Sequence, residues 1–336
     1  MMKESIWIAT AFVLVIPLLF VMRSTKWSVK GKHVFITGGS QGLGLALAEL
    51  VVSKGADVTI CSRSQAKLES AVEEIKKFAE SGQKVAYVAA DVSTFEGARK
   101  ALELASGQDQ GKVARVPDVV FCCAGASKPG YFLEQDESHF TEGIKTIYMT
   151  ALSTAHAATQ LFVANKKWDG KLVLTGSTLS FVGIVGYAQY APMKWAIRGL
   201  AETLRSEFLL YKGLSVHAYF PGTILSPGFI EEEKTKPKVT QSIEDGEKGG
   251  QMPMQCAKKL LKGVENDVFL ITSDFDTELL RVATSAGGAC PGNNFVVDRI
   301  KSIIALIGVT FWRIFTADAS IRKFAKQSPD QVPGLQ

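Results

Sequence analysis

The sequence contains no Cys-x-x-Cys pair and no Asn-x-Ser/Thr sequon, and its five cysteines, Cys61, Cys122, Cys123, Cys256 and Cys290, are odd in number. A disulfide scaffold and a thioredoxin-type redox centre are thereby excluded, and reduced thiols in a cytosol-facing domain fit the pattern. Histidine is scarce. His33, His139, His156 and His217 never stand at metal-ligand spacing, so no metal site is expected. Charge of one sign is scarce as well: the net charge is +5 and the Lys and Arg residues form no stripe with interleaved aromatics, so nucleic acid is not expected as a partner.

Apolar mass is plentiful. The chain has 336 residues, 46% hydrophobic and 21% charged, enough for one large globular domain or two modest ones. Residues 6–22, IWIATAFVLVIPLLFVM, form a run of 17 without a charge. At about 1.5 Å per residue such a helix is on the order of 25 Å long, the short end of what crosses a bilayer. The stretch VMRSTKW that follows offers no small-residue cleavage site, so residues 1–30 read as an uncleaved membrane anchor with a basic flank. Arg23, Lys26, Lys30 and Lys32 place the main domain on the cytosolic side. Near the other end, residues 302–312 are uncharged but only 11 long. They are too short to span, and they are expected to lie in the interface as part of a membrane-associated tail over residues 286–336.

Between these ends, short apolar runs alternate with amphipathic helical patterns. The runs are HVFIT, DVTIC, KVAYVAA, DVVFC, KLVLTG, LSVHAYF and DVFLIT, and a pattern such as AIRGLAETLRSEFLLYKG separates two of them, with Gly213 suited to cap its end. Seven strands alternating with helices predict an α/β fold, a Rossmann-type doubly wound parallel sheet in a single domain over residues 31–285. Residues 222–253, rich in charge, Pro and Gly, are too long for an idle connection and are expected to form a lid or substrate loop.

The first strand runs into the turn GGSQGLG and straight on into a helix. A tight turn there leaves backbone N–H groups at a helix start, where the dipole also favours an anion, so Gly38, Ser40, Gln41, Gly42 and Leu43 are candidates to hold a dinucleotide phosphate. The spacing Gly38-x-x-x-Gly42-x-Gly44 differs from G-x-G-x-x-G. Asp57, 19 residues after Gly38, stands at the start of its strand, remote from the turn, and is excluded as a ribose ligand. Ser62 and Arg63 follow that strand, with Lys67 a turn further on. Two cations and no carboxylate at that place select NADP(H) over NAD(H).

After the fifth strand, Ser177 precedes Tyr190 by 13 residues, and Lys194 follows Tyr190 by four, with Pro192 in the first turn of the helix. A phenol beside an ammonium has its pKa lowered toward neutrality and can serve as an acid, while the Ser hydroxyl holds a substrate oxygen. Tyr187 is excluded, since four residues on stands Ala191. The catalytic candidates are Ser177, Tyr190 and Lys194.

Taken together, these residues resemble the short-chain dehydrogenase/reductase family over residues 32 to about 281. The resemblance implies further positions: Asp91 and Val92 beside the adenine, Cys122 to Gly125 after the fourth strand, Pro221 to Ile224 near the nicotinamide, and contact of Tyr190 and Lys194 with the cofactor. Two departures stand out. Cys122-Cys123 replaces the usual Asn-Asn, and Ile147 falls where the family carries a fourth catalytic residue, an Asn that orders a water. Within the family, the stretches PGTILSPGF, KTKPKVTQSIE and PGNNFVVD are similar to endoplasmic reticulum members that reduce a long-chain keto-amine lipid with NADPH. That likeness implies a lipid substrate and a membrane as partners, with self-association left open. A steroid or retinoid reductase and an inactive nucleotide-binding subunit, the latter suggested by Ile147, remain the alternatives.

Overall fold

The computed structural model describes residues 27–107, 113–211, 213–244, 249–285, 292–328 and 331. The expected anchor at residues 6–22 lies outside them. Seven strands form one sheet: β1 (His33–Thr37), β2 (Asp57–Ser62), β3 (Val85–Ala89), β4 (Val119–Cys122), β5 (Lys171–Thr175), β6 (Ser215–Phe220) and β7 (Leu270–Thr272). The order is β3-β2-β1-β4-β5-β6-β7, with every pairing parallel. Each strand coincides with one of the seven apolar runs, β2 reaching one residue further to Ser62.

Those runs are continuous rather than alternating because both faces of the sheet are covered. Val34 and Ile36 belong to a core shared with α1 (Gly42–Ser53), α2 (Gln65–Lys76) and α9 (Pro253–Glu265). Phe35, one residue out of step, belongs to the opposite core with α3 (Phe95–Ala105), α5 (Thr150–Ala164) and α6 (Ala191–Phe208). A short α4 (Glu137–Gly143) enters α5 through a π-helical stretch, Ile144–Met149. The strand order reverses between β1 and β4, and such a switch point opens a crevice at the carboxyl ends of the strands.

Two local expectations are corrected, at Gly213 and at residues 302–312. Gly213 does not cap the helix before β6, because α6 ends at Phe208. Gly213 instead serves a later turn with φ +111, where a Cβ would come within 2.6 Å of the Trp168 carbonyl oxygen. Among its described residues the segment 222–253 carries two short helices, α7 (Pro227–Glu233) and α8 (Lys238–Ile243), and its ends meet in a bridge between Ile224 and Gln251. Residues 302–312 are not a short separate element. They lie inside α11 (Phe295–Trp312), which continues through a π turn at Arg313–Ala317 into α12 (Asp318–Gln327). The charges at Lys301 and Arg313 bound the apolar run without ending the helix. Val296–Phe324 is long and apolar enough to cross a membrane by length and composition.

α11 packs on α10 (Phe275–Thr284) through an inverted pattern. Asp298, Ser302 and Ala305 face inward and are buried. Ile300, Ile303, Ile307, Phe311 and Ile314, at the same helical spacing on the other side, are exposed. Arg281, fully buried, is clasped by Glu278 at 2.7 and 2.9 Å and by Asp298 at 2.7 and 3.2 Å. Asn293 pairs with the free edge of β7, accepting from Leu270 N at 2.8 Å and donating to Leu270 O at 2.6 Å.

Candidate active site

The turn after β1 closes only with glycine. Gly38 has φ +68, and a Cβ there would stand 2.8 Å from the Ala124 backbone nitrogen; one on Gly44 would stand 2.3 Å from the Gly38 carbonyl oxygen. This brings the start of α1 hard against the end of β4. Gln41, the N-cap of α1, is extended and makes no side-chain cap bond, so the first N–H groups of the helix remain available to an anion. Across the turn, Lys67 donates to Gln41 Oε1 at 3.4 Å, and the exposed Arg63 stands at the end of β2. Ser62 Oγ is buried there with no hydrogen-bond partner.

An uncapped helix start, a cradle that any Cβ would fill, two cations and an orphaned hydroxyl together fit a dinucleotide. Asp57 lies at the far end of β2, held by Arg115 at 2.5 Å and accepting from Lys84 N at 2.7 Å. Asp91 lines the cleft. Burial pushes its pKa up, but bonds from Ser93 N at 3.0 Å and Ser93 Oγ at 2.7 Å, with the charges of Lys145 and Arg63, hold it below the usual carboxylate range.

Ser177 follows β5 and opens a short 3-10 turn, accepting from Leu179 N at 3.2 Å while its own N–H donates to Ser180 Oγ at 3.2 Å. Ser180 Oγ also donates to Lys194 O at 2.8 Å, which ties that turn to the first turn of α6. Tyr190 is the N-cap of α6, and Pro192 sits where a missing N–H is harmless. Lys194 is buried, donates to Thr175 O at 2.9 Å, and holds its ammonium 5.4 Å from the centre of the Tyr190 ring.

The electrostatics differ from expectation. Burial raises the Tyr190 pKa above that of a free phenol, the charges of Glu232 and Glu244 raise it further, and only the hydrogen bond with Ser177 lowers it. Burial lowers the Lys194 pKa to about 8. The Glu residues come from the segment 222–253, and Tyr187 Oη donates to Glu232 Oε1 at 2.6 Å and to Glu244 Oε2 at 3.2 Å. Buried Lys236 offsets part of this negative charge, reaching Glu244 at 2.8 Å, Glu232 at 3.2 Å and also Glu233.

Gly38, Ser40, Gln41, Gly42, Leu43, Arg63, Lys67, Asp91, Ser177, Tyr190 and Lys194 all line one cleft of about 1000 Å³. Ile147 does not: its side chain is fully buried in the core, and Thr146 and Thr150 line the cleft from the π-helical stretch and the turn after it. The thiol of Cys61 is pushed up to about 12 and that of Cys123 to about 11 by burial, so both are unreactive. Sequence reasoning missed Tyr187, Glu232 and Glu244, and also Val309 and Trp312, which α11 sends into the cleft. Local spacing carries no signal for any of these. They arrive from segments distant in the chain.

The model of the short chain dehydrogenase family matches residues 32–237. A 3-ketodihydrosphingosine reductase of Cryptococcus neoformans is 38% identical over 302 residues, covering 90% of this chain and 88% of its own. Those of Aspergillus fumigatus and Dictyostelium discoideum are 35% and 32% identical, covering 84% and 79% of this chain and 82% and 81% of theirs. Among solved structures, a short chain dehydrogenase/reductase from Burkholderia phymatum in complex with NAD superposes with a TM-score of 0.68 at 16% identity, over 80% of this chain and 98% of its own. Levodione reductase gives 0.62 at 20% identity, over 73% and 96%.

Proposed function

The chain belongs to the short-chain dehydrogenase family, and from that premise we propose that it reduces 3-ketodihydrosphingosine to dihydrosphingosine, a step of sphingolipid synthesis, using NADPH. The observation that carries this reading is a cleft with two characters. One end holds the glycine turn, Arg63 and Lys67. The other passes Ser177, Tyr190 and Lys194 into a wall of Leu179, Val182, Ile184, Phe229, Val309 and Trp312, suited to a lipid ketone.

Hydride for the ketone carbon would come from a nicotinamide held in this cleft. Ser177 donates a hydrogen bond to the ketone oxygen, and Tyr190 delivers the proton that completes the alcohol. A Tyr190 pKa held high by burial and by Glu232 keeps the phenol protonated at neutral pH, as a donor must be. Lys194 stabilises the phenolate that forms. Gln41 and the free N–H groups of α1 are assigned to the pyrophosphate, Arg63 and Lys67 to the 2′-phosphate, and Asp91 to the adenosine side.

The division into an anchor over residues 1–30, a catalytic domain over 31–285 with a lid over 222–253, and a tail over 286–336 belongs to the same proposal. So does location at the endoplasmic reticulum membrane with the catalytic domain facing the cytosol. The basic residues around position 30 and the exposed apolar face of α11 support it. Purified full-length protein given 3-ketodihydrosphingosine and NADPH tests the reaction, with the product identified by mass spectrometry. Dihydrosphingosine is expected, and Tyr190→Phe should lower kcat by roughly 100-fold or more with cofactor affinity nearly unchanged. Formation of no dihydrosphingosine by the unaltered protein rejects the reading.

A further inference from the structure

A second cavity of about 650 Å³ lies beside the catalytic cleft. Among the described residues no charged side chain lines it. Its walls are the loop at Tyr131, Phe132 and Leu133, the segment from Gly183 to Ala188, and Ile321 of α12. Three bonds fix the Gly183 to Ala188 segment: Gly130 N to Gly186 O at 2.8 Å, Thr240 Oγ1 of the lid to Val185 O at 2.8 Å, and Tyr187 Oη to Glu232. Ile184 and Tyr187 line both this groove and the cleft, so the two spaces adjoin through that pair. At the outer end Phe132 is 65% and Leu133 76% exposed, and the helix that supplies Ile321 is continuous with α11, whose outward face is apolar.

We propose that this groove receives the distal part of the substrate's alkyl chain, which leaves the cleft past Ile184 and Tyr187 and runs between Phe132–Leu133 and Ile321. The proposal rests on the reduction of a long-chain keto-amine argued above, and it identifies what in the structure measures the chain. The reacting ketone at Tyr190 fixes one end of the ligand. A flexible apolar tail attached to it then has a path past Ile184 and the Tyr187 ring, whose hydroxyl occupies Glu232 and Glu244, into a groove that adjoins the apolar helix face. A methylene taken from water into such a groove contributes about fourfold in affinity.

The test uses the full-length protein in phosphatidylcholine vesicles with a series of 3-keto-2-amino alcohols differing in chain length. kcat/KM should climb by a few-fold per methylene over the lengths that reach the groove. In Ile321→Trp and in Ala188→Trp, both at the groove and not among the residues assigned to the reacting atoms, the climb should stop at a shorter chain, with KM for the longest analogues raised at least tenfold. A second measurement needs no variant. An analogue with a diazirine near its chain end, irradiated on the unaltered protein, should label Tyr131, Phe132, Leu133 or Ile321. Labelling confined to the outer face of α11 or to residues 1–26 overturns the groove, as does a chain-length dependence identical in both variants and the unaltered protein. Either result leaves the reaction itself standing, whereas failure to reduce analogues of any length defeats the reaction and the groove together.

Discussion

Lys194 is held inside the protein with its ammonium on the Thr175 carbonyl, and burial brings its pKa down to about 8. A lowered lysine pKa means that the cation is present below that value and lost above it. Since the cation is proposed to stabilise the Tyr190 phenolate as the proton leaves, kcat for ketone reduction should fall as pH rises through about 8. Lys194→Arg, whose guanidinium stays charged, should remove that alkaline limb while lowering the maximum, because a planar fork does not fit the Thr175 carbonyl as an ammonium does. A pH profile of the variant that keeps the limb unchanged assigns it to another group. At the cofactor end the charges are exposed and act differently. Arg63→Ala with Lys67→Ala should abolish a preference for NADPH over NADH, a loss of roughly 2 to 5 kcal/mol for two charge-assisted contacts. Binding titrations of both nucleotides measure it, and equal affinities in the unaltered protein would refute the assignment.

The elements differ in how plainly the sequence announces them. All seven strands were legible, because a strand covered on both faces must be apolar throughout, and these runs stand out between helical patterns. The glycine turn, Ser177, Tyr190 and Lys194 were legible for a related reason: short-range spacing on a strand end or a helix start fixes where side chains point. What the sequence concealed depends on contacts between distant segments. Glu232 and Glu244 read as solvated lid charges until Tyr187 and Lys236 are found among them. Lys301 and Arg313 look like the ends of an element and are interior to a helix. The latch that docks this helix, Arg281 with Asp298, spans 17 residues and is invisible to periodicity. Asp298→Ala should cost about 3 kcal/mol, since it strips one carboxylate from a fully buried guanidinium while Glu278 keeps the other edge. Chemical denaturation measures the loss, and hydrogen exchange should rise first in α11. Unchanged exchange there would mean that apolar packing alone docks the helix.

On the scale of the whole molecule, the outer face of α11 is an anomaly for a water-soluble surface. Ile300, Ile303, Ile307, Phe311 and Ile314 line one side over more than three turns, each at least 47% exposed. Arg322 and Lys323 near one end supply cations for an anionic surface, whereas Lys301 is paired with Glu278 at 2.7 Å. Because the opposite side of α11 is latched to α10 and contributes Val309 and Trp312 to the cleft, the helix is expected to rest in the interface with the catalytic domain beneath it, and the proposed anchor at residues 6–22 adds a second attachment. Deleting residues 1–25 should therefore weaken membrane association without abolishing it. Ile307→Glu with Phe311→Glu, added to that deletion, should release the protein, since each side chain contributes about 1.5 to 3 kcal/mol when fully buried and an interfacial one somewhat less. Flotation with vesicles containing anionic lipid separates the three forms, and the unaltered catalytic residues should leave the released protein able to reduce a detergent-presented ketone. If the deletion alone frees the protein completely, α11 carries no membrane contact and its apolar face must be covered by something else.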